Sequence, residues 1–378
     1  FSEQIQRYSI RAALLSFLGL VFERMEDLAQ AYSVYEEAER VSAEVGDVHS
    51  CAMVVNNQAS VLQQMGRYDV AVLKAKKAYE LSTSVEYRYV SALSLITLGD
   101  VYSDIGNYSQ ALDVYSQADY FSRTSIWKVY ICLAKVKVYI RQKLVDAAIS
   151  LLGSVSEEHR ILFPFDVALV ESQIASLNDE IERADMFVAH ALDLAKETNE
   201  RLAIARAYVL KAQVEASRQK PSGAAIVDAL NNAVNEAAKI NVEAPLIAAL
   251  LPFPSVIQSA LYHGWPKAAN WSEAQRAVRM LGRKLEAVQE RCRPVLEVRT
   301  LGQDAIILDG EAIAVTWGRV RELFYYLLTH PQGVSSEVLC DALWPNAQDR
   351  NSMKVTVSKL RALLPEGAIV LQSGKGYT

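Results

Sequence analysis

The chain has 378 residues, 51% of them hydrophobic and 22% charged, with a formal net charge of −5. That apolar content supports a large core in two or three domains and excludes global disorder, while 16 Gly and 10 Pro exclude a collagen-like sequence. Nothing in the bulk charge advertises a nucleic-acid or anionic-membrane partner.

Cysteines at 51, 132, 292 and 340 make no CxxC pair, and the five histidines are far apart. Neither a disulfide framework nor a local metal motif follows, so no metal or cofactor is expected and a reducing cytoplasm fits. No apolar run approaches the roughly 20 residues of a membrane helix. No GxSxG, HExxH or paired-carboxylate motif occurs, so an enzyme is not expected. Residue 1 is Phe rather than Met, which reads as a fragment or a missing start.

Taken in chain order, the first element is a repeat. Gly66-Arg67-Tyr68-Asp69-Val70-Ala71 and Gly106-Asn107-Tyr108-Ser109-Gln110-Ala111 lie 40 residues apart. Helically spaced residues follow each of them, Ala75 and Ala78 in one, Tyr115 and Ala118 in the other. Earlier and later copies are Leu28/Ala31/Tyr35/Ala38, Leu144/Ala147/Leu151, Val188/Leu192/Ala195 and Ile226/Leu230/Ala233. This predicts six helical pairs at a spacing of roughly 36 to 41 residues. Upstream halves carry Leu18-Gly19 with Phe22, and Leu98-Gly99 with Tyr102, small residues that let paired helices approach closely.

This pattern resembles the tetratricopeptide repeat, best over Leu98–Ala118 and fading after about residue 180. The resemblance implies a right-handed solenoid over 1–241 whose concave face binds a protein, peptide or small-molecule effector. Asn56, Asn57 and Tyr102, on first helices, are the candidate groove residues. The 242–293 segment is expected to cap or connect. Its prolines break the first part, and Ser272 would cap a helix over 273–292 that buries Ala277, Leu281, Leu285 and Val288.

After Pro294 the texture changes. Three short strands, with Asp309-Gly310 marking a hairpin, precede helices over 318–330, 337–343 and 350–364 and a final hairpin. The first helix should bury Val320, Leu323, Phe324, Leu327 and Leu328, and the third Met353, Val357, Leu360 and Leu364. The runs Leu327–Ser335, Leu339–Pro345, Val355–Arg361 and Gly374–Tyr377 resemble, in order and spacing, the OmpR/PhoB-type effector domain that also serves antibiotic-regulatory activators. The resemblance implies a winged-helix α+β domain over 294–378, with its third helix in a DNA major groove and Gly374-Lys375-Gly376 as the wing turn. Arg350, Asn351, Lys354, Ser358, Arg361 and Lys375 are the candidate DNA contacts, since Arg and Asn can read base edges while Lys and Ser hold phosphates. Residues 350–378 hold five cations against Glu366 alone, whereas 294–349 hold three Arg against four Asp and four Glu.

The expectation is therefore a mainly α, cytoplasmic bacterial transcription regulator that binds double-stranded DNA. An effector on the repeats would control the terminal domain, and DNA affinity would come from self-association, tandem sites or an activating ligand. Two alternatives compete with it: a protein-interaction scaffold, and the non-catalytic part of a nucleotide-switched ATPase regulator.

Overall fold

Six helical pairs form among the described residues. They are α1 (Ser2–Arg24) with α2 (Leu28–Glu44), α3 (Val48–Gln64) with α4 (Tyr68–Ser84), and α5 (Arg88–Asp104) with α6 (Tyr108–Phe121). Next come α7 (Ser125–Arg141) with α8 (Val145–Gly153), then the single-turn α9 (Glu157–Arg160). The last two pairs are α10 (Pro164–Leu177) with α11 (Ile181–Thr198), and α12 (Arg201–Ala216) with α13 (Gly223–Ala238). In this computed structural model the described residues are 2–122, 124–291, 296–299, 305–308, 311–313, 315, 318–330, 334–345, 351–363, 372–373 and 376–377. The chain divides into two compact units, Phe1–Glu286 and Ala287–Thr378.

One backbone device recurs between the helices of a pair. Glu26, Gly66, Gly106, Lys143 and Asp179 all take positive φ, from +59° to +87°. A left-handed residue there reverses the chain within three residues and lets second-helix amides bond back to the first helix, as Arg67 N does to Leu62 O at 2.9 Å. Glycine holds the position in the two repeats that share the Gly-x-Tyr motif.

Small residues then set how closely a pair packs. A Cβ on Gly99 would lie 2.5 Å from the Tyr115 ring, and one on Gly19 would lie 2.3 Å from Tyr35. The second repeat solves the same contact with fully buried Ala59 and Ala75. Ala31, Tyr35 and Ala38, Ala111, Tyr115 and Ala118, and Ile226, Leu230 and Ala233 are all buried as the period requires. The fourth repeat shifts the expectation by one residue: Ala148 and Leu152 are the buried pair, while Ala147 is half-buried and Leu151 packs at the margin of the same core. Its turn residue, Lys143, follows Gly106 by 37 positions instead of 40, and the inward residues keep the same offsets of 5 and 9 from the turn as Ala111 and Tyr115 do from Gly106.

The row of pairs does not remain an open arc. Both carboxylate oxygens of Glu26, in the first turn, accept backbone amides at the start of α12: Leu202 N at 2.9 Å and Arg201 N at 3.2 Å. Leu202, Ile240 and Val242 pack with Leu28, Ala31 and Tyr35. The first and sixth repeats therefore touch, and the solenoid closes on itself.

Beyond α13, α14 (Ala244–Ala249), α15 (Pro254–Tyr262) and α16 (Ala268–Arg291) reach back across earlier repeats. Tyr68 Oη donates to Ala244 O at 3.4 Å, Gln213 Nε2 to Ala249 O at 3.1 Å, and Asn107 Nδ2 to Gly282 O at 3.1 Å. Val278, Leu281 and Leu285 pack on the core of the second and third repeats. The start of α16 differs from the expected Ser272 cap, because Ala268 and Trp271 are already buried in helix. Ala277 is exposed; the inward stripe is Trp271, Gln275, Val278 and Gly282. Val288 lies beyond the described side chains.

The second unit has β1 (Leu296–Arg299), β2 (Ala305–Leu308) and β3 (Glu311–Ile313) in one antiparallel sheet, in register Leu296↔Leu308 and Ile306↔Ile313. Helices α17 (Gly318–Leu328), α18 (Ser336–Leu343) and α19 (Asn351–Leu363) follow, with β4 (Val334–Ser335) between the first two. A second small sheet joins β4 to β6 (Gly376–Tyr377), which pairs with β5 (Gln372–Ser373). Ser335 caps α18 by accepting from Val338 N at 3.2 Å. Val320, Leu323, Phe324 and Leu327 pack with Met353, Val357 and Leu360. Leu328 departs from its expected place and is 48% exposed, at the end of its helix. The expected Asp309-Gly310 turn and Leu364 lie outside the described residues.

Candidate functional site

The expected groove residues do not line an open groove. Asn56 and Tyr102 are only 5% and 3% exposed. Asn56 Oδ1 accepts from Thr97 Oγ1 at 3.1 Å, which ties α3 to α5. Tyr102 sits in the apolar core, and burial pushes its hydroxyl up to about 12. Half-buried Asn57 is hydrogen-bonded to Tyr35. An Asn on an apolar helix is here a satisfied interior group, which corrects the expectation of a solvent-facing wall.

A polar cluster does run along the first helices, but it is saturated from within. Asp104 accepts from Arg141 at 3.2 Å and from Gln63 Nε2 at 2.8 Å, while Arg141 Nη1 also donates to Ser103 Oγ at 2.8 Å. Lys137 pairs with Asp166, and Gln173 Nε2 donates to Gln213 Oε1 at 3.0 Å. Burial raises the Asp166 pKa, but Lys137 and Arg206 outweigh it and hold the carboxyl below its usual range. Ala249 and Phe253, from the chain's own later segment, close over this cluster and leave a cavity of about 50 Å³.

A different surface is both aromatic and accessible. Six rings form a continuous series from the second to the fifth repeat. His49 and Tyr87 have centroids 5.2 Å apart, Tyr87 and Tyr89 6.3 Å, Tyr89 and Trp127 6.3 Å, Trp127 and Tyr130 6.0 Å, and Tyr130 and Phe163 6.0 Å. Each sits at, or within two turns of, the start of a first helix: α3, α5, α7 or α10. The repeat therefore lays them along one edge. Arg88 stacks over Tyr120 and Phe121, 5.7 and 5.9 Å from their centroids. Tyr89 (45%) and His49 are exposed, Tyr87, Trp127, Tyr130 and Phe163 are half-buried, and the neighbouring Tyr120 is 75% exposed, so the edge offers a partly accessible aromatic surface.

The series is anchored inward through Asp100. Its carboxylate accepts from Tyr130 Oη at 2.8 Å and from Tyr115 Oη. Burial raises its pKa to about 6 despite these two hydrogen bonds. A periodic signal for this edge was present: His49 and Tyr89, like Tyr87 and Trp127, are spaced by the repeat length of 40.

In the second unit, Lys354 and Ser358 lie one turn apart on the exposed face of α19, opposite buried Met353, Val357 and Leu360. Asn351 and Arg361 belong to the same helix. Arg350 and Lys375 lie outside the described residues.

The first unit thus defines a helical-repeat class built of two-helix units. Residues 10–84 and 50–118 match the tetratricopeptide repeat family, and this region of the chain consists of such repeats. The TPR2AB-domain:pHSP90 complex of yeast Sti1 is a similar solved structure, at 16% identity and a TM-score of 0.29, covering 74% of this chain and 96% of that one. No curated protein matches the chain. Among the described residues, no helix is long and apolar enough to cross a membrane.

Proposed function

We propose that this chain is a non-catalytic, cytoplasmic protein-interaction scaffold whose repeat unit holds a protein or peptide along the aromatic edge from His49 to Phe163. The observation that carries the reading is the continuous series of six rings laid down by the repeat period. Tyr and Trp are enriched at binding hot spots because they bury large area at small entropic cost. The inner polar face supports the same choice, since Asp104, Arg141, Lys137, Asp166, Gln173 and Gln213 are already paired within the chain.

The test is to pan a displayed peptide library on the purified chain and titrate the recovered peptides against variants. Replacing Tyr89 and Trp127 together by Ala should weaken binding at least about tenfold, or roughly 1.4 kcal/mol. Met186→Ala, on an exposed second-helix residue away from the edge, should leave binding unchanged. Peptides that bind both variants like the wild type would defeat the proposal.

A second reading, DNA-binding transcription regulation through a winged helix, is favoured by the α19 face. The order of three strands, three helices and a terminal hairpin supports it, as does the excess of cations over anions in residues 350–378, five against one. If it holds, anisotropy titrations with duplex pools should give a salt-dependent complex. Lys354→Ala should weaken it on all sequences and reduce the log–log salt slope by about 1.

A further inference from the structure

Helix α1 has two faces of different fate. Its inner face, with Ala12 fully buried and Leu15 and Phe22 against the first repeat's core, packs on α2. Its other face is bare although it is apolar. Ile10, Leu14, Phe17, Leu18, Val21 and Met25 are each between 43% and 68% exposed. At 3.6 residues per turn these six positions fall within roughly a 100° arc, one continuous stripe. Met25 follows the helix proper, but its amide still bonds to Val21 O at 2.9 Å, so the stripe runs to that residue.

The free surface of these side chains amounts to roughly 700 Å² per copy, close to the roughly 800 Å² that one partner contributes to a standard interface. Few monomers leave a patch of that size uncovered. The spacing also says what covers it. The six positions are symmetric about the midpoint between Phe17 and Leu18: Ile10 mirrors Met25, Leu14 mirrors Val21, and Phe17 mirrors Leu18. A helix with this arrangement is its own complement when a second copy runs antiparallel to it, because each of the six then meets another of the six; Leu20, 44% exposed, lies outside the arc. Arg11 and Arg24 border the stripe, each beside a carboxylate of its own chain, Glu37 at 2.6 Å and Glu200 at 3.9 Å. The rim is therefore neutral and does not oppose the approach of a like copy.

We propose that the chain forms a two-fold symmetric dimer in which α1 packs antiparallel on α1 of a second copy through this stripe. The closed contact is isologous, so it ends at two copies and does not propagate. It uses a surface separate from the aromatic edge, and the two assignments stand or fall independently.

Sedimentation velocity on the full chain across a concentration series up to about 100 µM tests the proposal against an ordinary dimer affinity. A dimer is expected, and Phe17→Glu or Leu14→Glu should weaken it at least about tenfold while leaving the helical circular dichroism and its melting unchanged. Ile161→Glu, on another exposed apolar residue, should leave the dimer intact. If a Glu variant melts early, Phe17→Ser supplies the same reading with a smaller perturbation. Orientation is read from cysteine pairing over the wild-type baseline. A mixture of Leu14→Cys and Val21→Cys chains should cross-link faster than Leu14→Cys alone. A chain that stays monomeric throughout the series overturns the proposal, as does a dimer indifferent to Phe17→Glu, or Leu14→Cys chains that link preferentially to themselves.

Discussion

At the scale of the residue, Asp100 shows how a repeat interior stores an ionisable group. Its carboxylate is held by two tyrosine hydroxyls, from Tyr115 in its own repeat and Tyr130 in the next, so it pins one pair to its neighbour. Burial lifts its pKa from 3.8 to about 6, and Asp104 adds to the rise while Lys137 opposes it. The folded state therefore binds this proton more tightly than the unfolded chain does. The stability so contributed is fully present below about pH 4 and is lost as pH rises through about 6. Asp100→Asn keeps an acceptor for one hydroxyl and a donor for the other, and carries no charge. The variant should match wild type near pH 4 and exceed it at pH 8 by up to about 3 kcal/mol. Urea midpoints at the two pH values check this, and a pH-independent difference would show that Asp100 is not the group titrating.

At the scale of the element, Gly282 makes the docking of α16 testable by sign. In an isolated helix Gly→Ala stabilises by up to about 1 kcal/mol. Here a Cβ at residue 282 would lie 2.5 Å from the Ile105 carbonyl and 3.1 Å from Asn107 Oδ1, in the turn between α5 and α6. Backbone cannot yield as a side chain tip can, so Gly282→Ala should destabilise by roughly 1–3 kcal/mol. Equilibrium unfolding decides it: a stabilised variant would mean that α16 does not rest on that turn. The same contact marks how far the sequence could be read. Helix pairing is local, fixed by spacings of 3, 4 and about 40, and was legible for all six pairs; the turn residues were legible only at Gly66 and Gly106, and the buried small-residue ladder slipped by one position at Ala148. The partner of Gly282 is Asn107, 175 residues away, and no periodicity links them. Asn56 and Tyr102 looked like groove residues for a related reason: a period identifies a helix face, but not whether the neighbouring first helix packs against it, as α5 does on Asn56 through Thr97.

At the scale of the whole first unit, closure replaces an open solenoid with a ring of repeats, and this changes what stabilises it. In an open array each repeat answers only to its neighbours, so a terminal repeat can fray alone. Here Glu26 couples the first turn to the start of α12 by accepting two backbone amides that their own helix leaves without partners. Glu26 does this from a strained position, φ +59°, which an L-residue occupies at a cost of about 1 kcal/mol. The two contributions can be separated. Glu26→Ala keeps the strain and removes the carboxylate, and should lower stability by roughly 1–3 kcal/mol. Glu26→Gly removes both, and should recover about 1 kcal/mol of that loss. Hydrogen exchange gives the spatial half of the test: the amides of Arg201 and Leu202 should exchange faster in both variants, while those inside α5 and α7 keep their protection. If those two amides stay protected without the carboxylate, closure is held by Leu202, Ile240 and Val242 against Leu28 and Ala31, and the apolar seam rather than Glu26 makes the ring.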